Sequence, residues 1–273
     1  MIDFCSRIQC IILVFAVFCY TSDLVYATET GVVSVEGTIN SKGEGKPRKP
    51  AWRPKDEHPC TVERISMKDF LKQYGTQGGL PPLFPRPLVI TKADGRNSKF
   101  QELTQADSIL HSFPTNFTVT LSSSNSFSEH RRSLPFSEYL EEMRTGPSLQ
   151  ADTMSNETWY LFGETYSSEW KQLLRHYALP PCQVCNALDE SLVALSFGIG
   201  SSGSGVQWHV HGPGFSEAIH GRKHWILYSF DHQPKFDPDQ TSLNWMHYNY
   251  MALEKLDDMP LECTLNPGDI IYL

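Results

Sequence analysis

Positive charge is scarce in this chain of 273 residues: 23 Lys and Arg face 31 Asp and Glu, a net of −8. Setting aside the first 27 residues removes Arg7, Asp3 and Asp23, which leaves 22 basic against 29 acidic residues, a net of −7. An acidic balance argues against nucleic acid as a main partner, because a phosphate backbone is met with Lys and Arg. Apolar runs are scarce as well. After Tyr20 none is long enough to cross a bilayer, so no membrane span is expected beyond the first segment. The chain has no internal repeat, which excludes a solenoid. It also lacks a partner for Cys182-Gln183-Val184-Cys185: no second Cys-x-x-Cys, and no Cys/His pair at zinc spacing, is present to complete a structural zinc site.

What is present points to a folded, turn-rich protein. Apolar residues make up 40% and aromatics 12%, enough for a packed core. Eighteen prolines and eighteen glycines favour strands joined by turns over a helical bundle. Residues 1–27 read as a secretory signal segment: Arg7 precedes the apolar run CIILVFAVFCY (Cys10 to Tyr20), and Val25-Tyr26-Ala27 supplies small residues for cleavage. Residues 28–57, ending in KGEGKPRKPAWRPK, read as a flexible polar and basic arm, and one folded domain is expected over 58–273. The endoplasmic reticulum lumen or the extracellular space is then the expected location. Two sequons, at Asn116 and Asn156, fit glycosylation there. Four cysteines lie beyond the leader: Cys60, Cys182, Cys185 and Cys263. An even number in an oxidising compartment suggests one or two structural disulfides, with three connectivities open.

Along the folded part, Ser66 with Asp69 three residues on marks the start of a short helix, SMKDFLKQY. RPLVITK and FTVTLS read as strands. Thr104 is expected to cap a helix running toward His111. Phe136, Tyr139, Leu140 and Met143 repeat at helical spacing behind Pro135, and Trp170, Leu173, Leu174 and Tyr177 do so again. ETWYLFGE between them reads as a buried strand. After Pro181 the runs LVALSFGIG, VQWHVHG, HGRKHWILYS and ECTLNPGDIIYL are strand-like. The expected class is α+β, with an outer helical layer on a closed or sandwiched sheet.

GVQWHVHGPGFSEAIHGRKHW (205–225) carries the chemistry. Two residues apart on a strand, His209 and His211 share a face and can aim both imidazoles at one ion. Gly203-Ser204-Gly205 and Gly212-Pro213-Gly214 bound the pair with tight turns. On a strand GRKHWILYS, Lys223, Trp225 and Leu227 occupy one face. Lys223 then lies on the more apolar side, where an ammonium wants an anion. Asn266-Pro267-Gly268-Asp269 reads as a turn into the core strand IIYL.

Trp208-His209-Val210-His211, Gly221-Arg222-Lys223-His224-Trp225 and Pro267-Gly268-Asp269-Ile270-Ile271-Tyr272 together resemble the JmjC family of cupin-like oxygenases, and the likeness extends over roughly residues 59–273. The resemblance implies a double-stranded β-helix, a jelly-roll or cupin-like barrel with N-terminal flanking helices. It also implies Fe(II) and 2-oxoglutarate as cofactors, with a protein as substrate or partner. On that pattern His209 is the first metal ligand and Lys223 holds the far carboxylate of 2-oxoglutarate. His211 stands where the family has a carboxylate. Glu217 is a candidate oxygen ligand, although it lies farther along than the cupin signature has it. The distal histidine of the family pattern falls beyond Leu273, so the last barrel strands are expected to be missing from this sequence. His220, His224, His232 and His247 are expected to be exposed or loop residues. Three readings follow: a luminal Fe(II)/2-oxoglutarate-dependent oxygenase of the protein hydroxylase type, a non-catalytic scaffold or regulatory protein-binding module on the same fold, and a cupin-like metal protein of different chemistry.

Overall fold

The computed structural model describes residues 12–20, 60–74, 86–91, 95–123, 129–145, 159–163, 165–180, 193–201, 204–209, 215–228, 237, 239–250 and 260–273. Eleven strands are described. They are β1 (Ile12–Tyr20), β2 (Glu63–Ser66), β3 (Leu88–Thr91), β4 (Thr118–Ser122), β5 (Arg131–Pro135), β6 (Tyr160–Leu161), β7 (Val193–Ser201), β8 (Phe215–His220), β9 (Lys223–Leu227), β10 (Leu261–Leu265) and β11 (Ile270–Tyr272). Nine form one sheet in the order β2-β3-β11-β8-β1-β7-β6-β4-β5, and β9 and β10 form an antiparallel ribbon. The α+β class is as expected. Among the described residues the strands make an open sheet and a separate ribbon, and no closed barrel is formed: neither β9 nor β10 pairs with a strand of the larger sheet. β1 comes from the apolar run of the expected leader and pairs in parallel with both β7 and β8.

The helices are α1 (Met67–Tyr74), α2 (Ser98–Leu103), α3 (Phe136–Thr145), α4 (Ser168–Leu174) and α5 (Ser242–Tyr248). α1 begins as its sequence dictates: the Ser66 hydroxyl accepts from the Asp69 N–H at 3.1 Å and donates to the Asp69 carboxylate at 2.5 Å. α3 follows Pro135 and buries Phe136, Tyr139 and Leu140, the expected stripe. In α4, Trp170, Leu173 and Leu174 are buried behind the N-cap Ser167. Thr104 departs from expectation. It closes α2 instead of opening a helix, its hydroxyl bonding back to the Phe100 carbonyl at 2.6 Å, and only a 3₁₀ turn (Ile109–Ser112) follows. Among the described residues, no helix is long and apolar enough to cross a membrane.

The main core lies between helices α1 to α4 and the sheet, while Trp245 and Met246 of α5 pack in a separate cluster with Trp208 and Tyr228. Phe113 meets Trp170 edge-on at 4.5 Å and Phe136 at 5.1 Å, and Trp170 continues to Phe197 and on to Phe100. A second core, with Val62, Val89, Ala218, Cys263, Leu265 and Ile271, fills the space between sheet and ribbon. Two glycines take left-handed backbone where the sequence requires it. Gly221 (φ 60) turns β8 into β9, and Gly268 (φ 85) is the third residue of the Asn266–Asp269 turn, closed by a 2.9 Å bond from the Asp269 N–H to the Asn266 carbonyl.

Candidate functional site

The ribbon positions Lys223. β9 runs antiparallel to β10 with Lys223 opposite Leu265, and Trp225 and Leu227 pack toward the second core, as the alternation predicts. The ammonium lies 5.0 Å from the Trp225 ring centroid and 5.7 Å from that of Tyr160, so two aromatic faces hold the cation. Tyr160, on β6, is seated by a close approach. Its partner across the ladder is Gly200, where an added Cβ would fall 2.5 Å from the Tyr160 ring and 2.1 Å from Ser204 Oγ. A side chain at 200 would force Tyr160 and Ser204 to shift. Sequence reasoning missed Tyr160; only its place in a short, wholly buried strand hinted at it.

His209 does not sit on a strand. Residues 204–209 are irregular because Gln207 and Trp208 are engaged sideways instead of in a ladder. Buried Gln207 donates from Nε2 to the Thr241 carbonyl at 3.3 Å and accepts the Trp208 N–H at 3.0 Å, while Trp208 meets Trp245 edge-on at 5.1 Å. His209 Nδ1 lies 2.6 Å from the Gln207 carbonyl oxygen. A carbonyl only accepts, so Nδ1 carries the proton and Nε2 carries the lone pair. His209 is exposed to solvent. Even so, desolvation by the surrounding protein holds the imidazole below its ordinary value; the Gln207 carbonyl opposes this and the Lys223 ammonium adds to it. The structure thus brings His209 and Lys223 within electrostatic reach of each other and shifts the imidazole toward its neutral form, the form a metal takes.

Glu217 is committed elsewhere. It is buried on β8, and its Oε2 accepts from Arg96 at 2.5 Å, Tyr177 at 2.7 Å and Asn97 at 3.0 Å. Burial and the neighbouring carboxylate push the Tyr177 phenol well up. None of these three partners was legible in the sequence, since each lies at least 40 residues from Glu217.

Two histidines expected on the surface or in loops are strand residues instead. His224 is half-buried on β9, with Nδ1 2.9 Å from the Thr264 hydroxyl and Nε2 3.1 Å from the Glu262 carboxylate, which also accepts from Tyr250. His220 ends β8, 3.1 Å from the Thr104 hydroxyl, and desolvation lowers its pKa from 6.5 to about 4. Between those values the unfolded chain binds a proton that the folded chain refuses. His220 therefore contributes stability that is present above pH 6.5 and is lost as pH falls toward 4. The loss is expected to reach up to about 3 kcal/mol. Denaturant midpoints across that range should show this slope, and His220→Gln should flatten it; an equal slope in the variant refutes the assignment.

His211, His232, Asn156, Cys182 and Cys185 lie outside the described residues, and His247 is described only as part of the α5 backbone. Asn116 is exposed in the turn before β4. Cys60 and Cys263 form a disulfide, which selects one pairing from those left open. Among the described residues no three His, Cys, Asp or Glu side chains converge on a metal position. What they offer such a centre is one imidazole in the ligating tautomer with a cation beside it.

No protein-family model matches the sequence. It is 37% identical to human JmjC domain-containing protein 8 over 239 residues, 84% of each chain. The chain belongs to the JmjC family. The mouse JmjC domain-containing protein 8 is 39% identical over 80% of this chain and 76% of its own length. Lysine-specific demethylase JMJ21 of Arabidopsis thaliana is 30% identical over 78% of this chain, which spans only 23% of that protein. Membership of the JmjC family implies a cupin-like fold of the 2-oxoglutarate oxygenase kind. The mixed helices and sheets of this JmjC chain agree with it in content.

Proposed function

We propose that this JmjC chain is a luminal Fe(II)/2-oxoglutarate-dependent oxygenase acting on a protein side chain. One observation carries the reading: His209, in the tautomer with its lone pair on Nε2, lies within electrostatic reach of Lys223. His209 and His211 would hold the metal, and Lys223, steadied by Tyr160 and Trp225, would take the remote carboxylate of 2-oxoglutarate. Bound together, metal and co-substrate supply oxidation: 2-oxoglutarate and O2 become succinate and CO2, and the second oxygen atom enters a C–H bond of the substrate. The protein's own part is to keep His209 neutral, orient it through Gln207, and present a fixed ammonium to the anion. The secretory location rests on the leader-like sequence of residues 1–27, whose removal would take β1 from between β7 and β8, and on the disulfide, which belongs in an oxidising compartment.

Succinate release from 2-oxoglutarate tests the reading. The full chain with Fe(II) should form succinate, His209→Ala should abolish it, and Lys223→Ala should raise the KM for 2-oxoglutarate by about 10- to 100-fold, the worth of a charge-assisted bond. A second reading, a non-catalytic JmjC scaffold, is favoured by the capture of Glu217 in the Arg96 cluster and by His211 in place of a carboxylate. Folded protein that forms no succinate with Fe(II) excludes the oxygenase and leaves the scaffold and the cupin-like metal protein, which metal binding separates.

A further inference from the structure

Thr115 and Asn116 form the tip of a turn closed by a 2.9 Å bond from the Phe117 N–H to the Pro114 carbonyl, and β4 begins at Thr118. Phe117 turns inward. It is half-buried, lies 4.8 Å from Phe113 and meets Phe136 and Trp170 edge-on. Its neighbours on both sides turn outward, as alternation along extended backbone dictates, so Asn116 and Thr118 are both exposed. The core thus grips the sequon Asn116-Phe117-Thr118 by its middle residue and presents the acceptor amide and the hydroxyl to solvent.

The same turn stands at the open edge of the sheet. Thr118 pairs with Pro135, the last residue of β5, and the Phe136 N–H that follows donates to the Phe117 carbonyl at 2.8 Å. β5 is the outermost strand on that side, and among the described residues no strand pairs with its outer edge. An open strand edge invites pairing with another chain.

We propose that Asn116 carries an N-linked glycan and that this glycan guards the β5 edge against other chains. The inference rests on the luminal reading above, because a sequon is glycosylated in the secretory pathway. In the transfer, Asn116 Nδ2 gives up a proton and forms a bond to C1 of an oligosaccharide. The bond from C1 to the lipid-pyrophosphate donor breaks, the lipid pyrophosphate leaves, and nothing is oxidised or reduced. A bulky, solvated sugar two residues from the Thr118–Pro135 pair then hinders a second chain from lying along β5.

Expression of the full chain in secretory cells tests both parts. Asn156→Gln leaves Asn116-Phe117-Thr118 as the single sequon. In that background an amidase that releases N-glycans should raise gel mobility by one glycan and convert Asn116 to Asp, read in the mass of its peptide. Asn116→Gln and Thr118→Ala, both at exposed positions, should abolish the shift, and Thr118→Ser, which keeps the hydroxyl, should retain it. On warming, the glycosylated chain should begin to scatter light at a higher temperature than Asn116→Gln in the same background. An unmodified Asn116 in a chain that protease protection places inside microsomes overturns the proposal. A chain digested from outside the microsomes overturns the luminal reading, and the proposal with it. An occupied Asn116 with the same onset of scattering in both chains overturns the guarding role.

Discussion

Replacing Cys60 and Cys263 together with alanine is expected to lower the unfolding free energy by about 5 kcal/mol. The bridge spans 203 residues, and a loop of that size restricts the unfolded chain more than almost any other single crosslink could. Its location adds to the effect. Cys263 lies on β10 of the ribbon and is fully buried, while Cys60 leads into β2 of the large sheet. Beside the bridge the Thr61 N–H donates to the Glu262 carbonyl at 2.8 Å, and the Glu262 N–H returns a 2.8 Å bond to the Thr61 hydroxyl. Ribbon and sheet are thus joined here by the covalent link and by the hydrogen bonds between Thr61 and Glu262. Denaturant unfolding of the oxidised protein against the double variant measures the difference; a loss below about 1 kcal/mol would mean that the reduced chain is already constrained in its unfolded state.

The largest effect of a single substitution is expected at Glu217. Glu217→Ala leaves the Arg96 guanidinium, itself only 12% exposed, facing a cavity, and removes the acceptor of the Asn97 and Tyr177 bonds. Breaking a buried pair from one side costs about 3–5 kcal/mol, because the remaining charge is stranded. Asn97 spreads the damage: its side chain also bonds both the N–H and the carbonyl of Ala178, tying the start of α2 to the segment after α4. Changing Arg96 and Glu217 together to Met should recover part of the loss, and a double-mutant cycle measures how much. Additive single effects would show that the pair is not coupled.

Local features of this fold were legible because local rules decide them. The Ser66 cap, the Phe136–Tyr139–Leu140 stripe and the face shared by Lys223 and Trp225 each depend on residues within one or two turns of each other. β8 was missed for a related reason. Phe215 to Ile219 are all buried, so the strand shows no alternation to read. At the site, Lys223 was placed on the correct face, whereas the aromatic partner Tyr160 lies on another strand and left no trace in the motif. Glu217 looked like a ligand from its place near the histidines; what claims it comes from Arg96, more than a hundred residues earlier. His209 was expected on a strand, and the long-range bond from Gln207 to Thr241 is what prevents that. Tertiary partners decide each of these cases, and spacing does not encode them.

β3 lies between β2 and β11, with Ile90 opposite Ile270. A ribosome delivers Ile90 long before Ile270, so during synthesis β2 and β3 have no inner neighbour, and Val89 and Ile90, fully buried in the finished fold, stay wet. The thiol of Cys60 waits equally long for Cys263. A part of the sheet made early is thus among the last to be completed. Until β11 arrives, that edge can pair with another chain, so the nascent form is expected to be more prone to aggregation than the finished fold.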